Sequence, residues 1–141
     1  MEYNIIVKEE VGKFYPVCSE IPELSNLQFK SKEDLTENLY ERFLEVLELS
    51  YRQQGRLIPL PKEPIEADPS LNLDVLTQAK VLFWNFLLTE EISLSDLARE
   101  ADMYRQEVSR VLDFRKRIHM SKLEALAFSV GMVFHVSLEN F

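Results

Sequence analysis

Four of the chain's six prolines, at positions 59, 61, 64 and 69, fall within residues 59–70. Proline carries no amide donor and fixes its own φ, so neither a helix interior nor a central strand can pass through such a run. Lys62, Glu63, Glu66 and Asp68 lie in the same stretch, which reads as an extended, semi-rigid linker. The 141 residues thus divide into a unit over 1–60, a linker over 61–72 and a second unit over 73–141. The hydrophobic pattern changes across that division.

Before the prolines the pattern alternates, as in half-buried strands. Residues 3–8 are rich in β-branched and aromatic side chains, Gly12 supplies a hairpin turn, and residues 14–19 form a second strand with Pro16 at an edge or bulge. Residues 27–29 predict a short third strand. Ser31 then opens a helix as a capping residue, with Leu35, Leu39, Phe43, Val46 and Leu47 on one stripe. Gln54-Gly55 ends it, and residues 57–60 predict a returning strand in a parallel crossover. The expectation is a small β-β-β-α-β unit.

After the prolines the period is helical. Asp74 opens a helix over 75–88, Ser93 a second of about two turns, Tyr104 a third to Leu112, and Ser121 a fourth that stops at Gly131. Residues 133–138 fit either a strand or a last helical turn. The fold class expected for the whole chain is α+β, an N-terminal α+β unit followed by an all-α unit.

Residues 94–111 have the spacing of a helix-turn-helix. Ala98 is small where two helices cross closely. Asp102 stands where the turn needs a left-handed backbone, which its short side chain tolerates. Leu97, Met103, Val108 and Val111 point to the core, leaving Tyr104, Arg105, Gln106, Ser109 and Arg110 on the outer face. Arginine and glutamine read guanine and adenine edges through paired hydrogen bonds, and in this motif the second helix enters the major groove. Arg115, Lys116 and Arg117 follow as a candidate phosphate clamp, or as a solvated basic loop. Duplex DNA is the expected partner.

Net charge is −8, carried unevenly. Residues 1–70 hold 14 acids against 8 bases, whereas residues 104–122 hold 6 bases against 2 acids. A local basic footprint matters more for phosphate recognition than the global sign. The acidic first half suits a basic partner, or serves solubility alone. Cys18 is alone and His119 and His135 have no ligand spacing, so no disulfide, metal, cofactor or catalytic residue is expected. The opening residues lack a signal peptide's pattern and the apolar stretch 81–88 is too short to span a bilayer, so a cytoplasmic protein with no membrane association is expected. The helix over 75–88 is apolar nearly all round. Either the chain itself buries it, or Phe83, Trp84 and Phe86 cover a second subunit. A dimer or higher homo-oligomer is preferred, because operator-binding modules pair half-sites about a two-fold axis.

Taken in order, the strand pair with Gly12, Glu20-Ile-Pro-Glu23, the helix from Ser31, Arg56-Leu-Ile-Pro-Leu-Pro61, Ala79-Lys80-Val81-Leu82 and the terminal helix-turn-helix resemble the HicB-type antitoxins that carry a C-terminal helix-turn-helix. The resemblance covers nearly the whole chain and departs at residues 25–30, where that family usually has a Gly/Cys-containing stretch ending in Gly-Asp/Glu-Thr. It implies a partial RNase-H-like N-terminal domain that binds and occludes a small HicA-type mRNA-cleaving toxin. It also implies a C-terminal unit that represses the operon encoding both. On the residues alone, a stand-alone helix-turn-helix regulator with an N-terminal sensing or oligomerisation domain stays open.

Overall fold

The structure, a computed structural model, describes residues 1–62 and 70–140. Most of the expected linker, residues 63–69, therefore lies outside the described residues. The chain is α+β, with its strands in the first half and at the edge of the second, and its helices predominantly C-terminal. Among the described residues, no helix is long and apolar enough to cross a membrane.

Strands β1 (Glu2–Asn4) and β2 (Ile6–Glu10) are one run of chain interrupted at the buried Ile5. β2 pairs antiparallel with β3 (Lys13–Val17), Glu10 opposite Lys13. The two-residue turn between them puts both Val11 (φ 51°) and Gly12 (φ 72°) in the left-handed region. Glycine takes that conformation without penalty, whereas the β-branched Val11 is strained there. The third strand expected over 27–29 shrinks to one bridge, in which the Phe14 and Phe29 amides each donate to the other's carbonyl at 2.9 and 2.8 Å. Before it, Pro22–Asn26 winds into a 3-10 turn.

Helix α1 (Lys32–Val46) begins at the expected cap: the Asp34 amide donates to Ser31 Oγ at 3.0 Å, and the Asp34 carboxylate accepts from the Lys30 amide. It continues into a widened π-helical turn, Leu47–Arg52. The extra residue in that turn rotates the stripe, so that Glu48, Tyr51 and Arg52 are buried beside Leu47. No strand follows. Residues 57–60 run extended along helix α2 (Val75–Thr89), held by the Asn85 amide, whose Oδ1 accepts from the Ile58 N–H at 2.8 Å and whose Nδ2 donates to the Ile58 carbonyl at 2.9 Å. Pro59 and Pro61 have no amides to continue a ladder. The strand that does join β1 is β4 (Ser70–Asn72), with Leu71 opposite Tyr3. That pairing is antiparallel, which replaces the expected parallel crossover and places the end of the expected linker inside a sheet.

α2 is capped by Asp74, whose Oδ1 accepts from the Thr77 amide at 2.7 Å. The chain itself covers most of it, leaving Val75 and Leu82 exposed. Trp84 is buried, its indole N–H donating to the Arg56 carbonyl at 2.9 Å. Phe83 is buried between the half-buried Phe86 and Phe134, with ring centroids at 6.2 and 6.1 Å. Phe83 and Trp84, expected to cover a second subunit, are thus buried by the N-terminal half and the C-terminal tail, while Phe86 is only half-buried. Helices α3 (Leu94–Ala101), α4 (Arg105–Leu112) and α5 (Met120–Ser129) complete the fold, α5 ending at Gly131 (φ 80°). The tail beyond is neither strand nor helix.

The two halves share one hydrophobic core, from Tyr3, Phe43 and Ile58 through Trp84 and Leu87 to Leu97, Val108 and Leu123. A boundary at 61–72 therefore does not separate two independent cores. Where the halves meet, Glu48 is fully buried. Its two oxygens accept from Arg52 Nε at 2.7 Å and Nη2 at 2.6 Å, and also from Gln53 Nε2 and the Phe114 amide, both at 3.1 Å. Lys80, 2 % exposed, donates to the carbonyls of Asp113 at 2.7 Å and Lys116 at 2.6 Å. Burial lowers its pKa to about 8.

Removing one member of a buried ion pair strands the other, at about 3–5 kcal/mol. Glu48→Ala is expected to lose stability on that scale in urea unfolding, and adding Arg52→Met to recover part of the loss. The Lys80 pKa, lower in the folded than in the unfolded chain, has a defined sign: the unfolded chain holds more protons between pH 8 and the ordinary lysine value, so the Lys80 contribution to stability rises with pH across that window. The wild-type-minus-Lys80→Met difference in unfolding free energy should climb there. A flat difference would show that Lys80 titrates as an ordinary lysine.

Candidate nucleic-acid interface

The helix-turn-helix is built from local chemistry. Ser93 caps α3, its Oγ accepting from the Asp96 amide at 3.0 Å. Leu97 and Ala98 are buried where α3 meets α4. The helix ends at Asp102 in the left-handed conformation (φ 52°, ψ 49°), and the Met103 amide closes the turn on the Ala98 carbonyl at 2.9 Å. This is the role expected of Asp102. Tyr104 then turns the chain into α4, whose Val108, Val111 and Leu112 are buried. Those apolar anchors fix which side of α4 looks outward.

Tyr104, Arg105, Gln106 and Arg110 are exposed, Tyr104 by 79 %. Among the described residues their side chains make no hydrogen bond or ion pair. The N-terminal turn of α4 is therefore presented with two arginine-or-glutamine heads in solvent, the arrangement by which such a helix reads base edges. Glu107 shares the exposed side and opposes phosphates locally.

Ser109 departs from the outward placement expected of it. It is half-buried, and Arg52 Nη2 donates to its Oγ at 3.3 Å. Its spacing from Arg105 is right for the outer face, but the widened end of α1 docks against the second turn of α4 and covers it. Sequence reasoning missed Glu48, Arg52 and Lys80. The available signal was a charge inside an apolar run: Lys80 sits between Ala79 and Val81, and Glu48 between Leu47 and Leu49.

The basic loop after α4 is more engaged than its charge count implies. Arg115 holds the Asp113 carboxylate with Nε at 3.1 Å and Nη2 at 2.9 Å. Burial alone would raise the Asp113 carboxyl, but the Arg115 hydrogen bonds outweigh it and hold the acid below the usual carboxylate range. Arg117 lies 3.4 Å from Asp74 and is mostly exposed. The side chain of Lys116 is exposed and unpaired among the described residues, while its carbonyl serves Lys80. Arg115 and Arg117 also line a shallow groove with Glu41 and Glu45 of α1. Lys116 and Arg117 can reach a phosphate as they stand, whereas Arg115 must first leave Asp113.

No family model matches the chain. Individual relatives do. It is 35% identical over 127 residues to an antitoxin HicB of Pseudomonas fluorescens (strain Pf0-1), an alignment covering 87% of this chain and 82% of the relative. It is 25% identical over 140 residues to antitoxin HicB 1 of Photorhabdus laumondii subsp. laumondii, covering 99% and 88% of the two chains. It is 30% identical over 76 residues to an antitoxin HicB of Escherichia coli (strain K12), about half of each chain. With a relative matched at that identity over most of both lengths, the chain belongs to the HicB antitoxin family.

Proposed function

We propose that this protein is the antitoxin of a toxin–antitoxin pair, that its N-terminal half binds and occludes a small mRNA-cleaving HicA-type toxin, and that α3–α4 bind operator DNA to repress the operon encoding both. It acts by binding and has no catalytic role. The observation that carries the DNA half of this reading is the exposed, unengaged first turn of α4, with Arg105 and Gln106 held outward by the buried Val108 and Val111. Lys116 and Arg117 position the module on phosphates without specifying sequence.

Charge supports the toxin half. A protein that cleaves RNA has a polyanion to bind, so its surface is basic, and an acidic partner both steers to such a surface and covers it. Glu33, Glu37, Glu41 and Glu45 form one exposed ridge along α1. Like charges four residues apart destabilise a helix by about 0.2–0.5 kcal/mol per pair, a cost that a basic partner would remove. The deciding experiment is co-purification with the product of the neighbouring gene, followed by an RNA-cleavage assay with and without the full chain.

Three outcomes are expected. Glu33→Lys with Glu37→Lys should leave the protein folded and operator-competent but restore RNA cleavage. Unrestored cleavage would clear the ridge of toxin contact. Arg105→Ala and Gln106→Ala should each weaken operator binding by about 1–3 kcal/mol at constant salt, with unchanged melting temperature. Neutralising Lys116 and Arg117 should weaken binding to all sequences alike and flatten the salt dependence by about 0.9 in log–log slope for each phosphate left without its cation. An unchanged slope would leave the loop as solvated charge.

A further inference from the structure

The five arginines between 99 and 117 fall into two groups. Arg105 and Arg110 carry no side-chain hydrogen bond or ion pair among the described residues. Arg99, Arg115 and Arg117 each lie against an acid: Asp96, Asp113 and Asp74. Two of those pairs are loose. Arg99 is 71 % exposed, and Arg117 is 82 % exposed at 3.4 Å from its acid, so water and salt compete freely for both. The third pair is built. Asp113 is buried and accepts three hydrogen bonds from one residue. Its Oδ1 takes the Arg115 amide at 2.9 Å and Nε at 3.1 Å, and its Oδ2 takes Nη2 at 2.9 Å. The guanidinium thus meets two oxygens in a fork, the geometry by which arginine grips a phosphate. The acid cannot swing away. Its own carbonyl is held by Lys80 Nζ, and the next amide, of Phe114, by the Glu48 carboxylate.

We propose that Asp113 is an internal substitute for a DNA phosphate, which keeps Arg115 off the duplex and so limits how tightly the module holds DNA of any sequence. This role rests on the reading of α3–α4 as a duplex-binding module. Asp113 stands two positions from Arg115 on a backbone fixed from both sides, so it competes at an effective concentration that a phosphate in solution does not match. Releasing Arg115 would also leave a buried carboxylate with a single amide donor, and stranding such a charge costs more than one screened surface contact returns. The withholding is selective, because the neighbouring Lys116 has an exposed, unpaired head among the described residues. A phosphate contact strengthens binding to every sequence alike, and wrong sites far outnumber right ones. Withholding one such contact lets the protein leave wrong sites sooner.

The test is binding of the full chain, over a salt series, to a random-sequence duplex and to the duplex upstream of its own gene. Asp113→Asn keeps an oxygen for the Arg115 amide and removes the charge. It should tighten binding to both duplexes by about fivefold to tenfold at 0.1 M salt, and steepen the log–log salt dependence by about 0.9, the share of one phosphate. Asp113→Asn with Arg115→Gln has the net charge of the wild type and should bind with wild-type affinity and slope. Melting temperatures establish that both variants are folded. The wild type supplies a reading that needs no variant: the Arg115 Nε–H resonance, slow to exchange while it is held, should not move on saturation with random duplex. A resonance that shifts, a folded Asp113→Asn chain with the wild-type slope, or a doubly substituted chain whose slope falls by about 0.9 would each overturn the proposal. Slopes as expected without preference for the upstream duplex would sink the operator reading and spare Asp113. A preference for that duplex with one slope in all three chains would do the reverse.

Discussion

The fold turns on one buried carboxylate. Glu48 receives two hydrogen bonds from Arg52, one from Gln53 and one from the amide of Phe114, the residue just beyond α4. An isolated charge at that depth would cost many kcal/mol; surrounded by four donors, two of them on one guanidinium, it becomes a junction. The junction depends on the widened turn Leu47–Arg52. In unbroken α-helix, the stripe set by Leu35, Leu39, Phe43 and Val46 would continue through Leu47 and Ser50, leaving Glu48 and Arg52 off the core side. The extra residue brings both inward, where they meet the second half of the chain.

From this junction the electrostatics of the C-terminal loop follow. Arg52 reaches Ser109 on one side, and the Glu48 oxygen holds the Phe114 amide on the other, so the exit of α4 is tied to the N-terminal half. Lys80, from α2, pins the carbonyls of Asp113 and Lys116. The loop over 113–117 therefore hangs from two buried charges of opposite sign on two different helices. Its backbone is fixed, and only the heads of Lys116 and Arg117 are at liberty to move. The first turn of α4, beyond the reach of Arg52, keeps its polar side chains in solvent.

What was legible in the sequence was local. Ser31, Asp74 and Ser93 cap the helices they precede because a cap needs only the next three residues. Asp102 takes the left-handed turn because backbone sterics within the turn decide it. What was not legible required knowing a neighbour. The apolar periodicity of α2 announced extensive burial, but periodicity cannot say whether the cover is a partner or the chain itself. Residues 57–60 had a strand's composition; their hydrogen bonds came instead from the side chains of Asn85 and Tyr3. Ser109 had the spacing of the outer face and lost its place to Arg52, fifty-seven positions earlier. The antiparallel pair with β1 turned on β4, three residues at the edge of a proline-rich run where composition argued against any strand.

The same hydrogen bonds and ion pairs set what kind of DNA reader this chain would be in the proposed role. Six bases against two acids over 104–122 promise a strong phosphate footprint. In the folded chain Arg115 is held by Asp113, Arg117 lies near Asp74, and Glu41 and Glu45 share their groove. The whole carries −8. Non-specific affinity scales with the phosphates neutralised, so in the proposed role a single copy would hold random duplex weakly and depend on base recognition by α4. In the proposed role, a weak electrostatic footprint would thus favour specificity over affinity, because binding would rest on base recognition rather than on phosphate contacts.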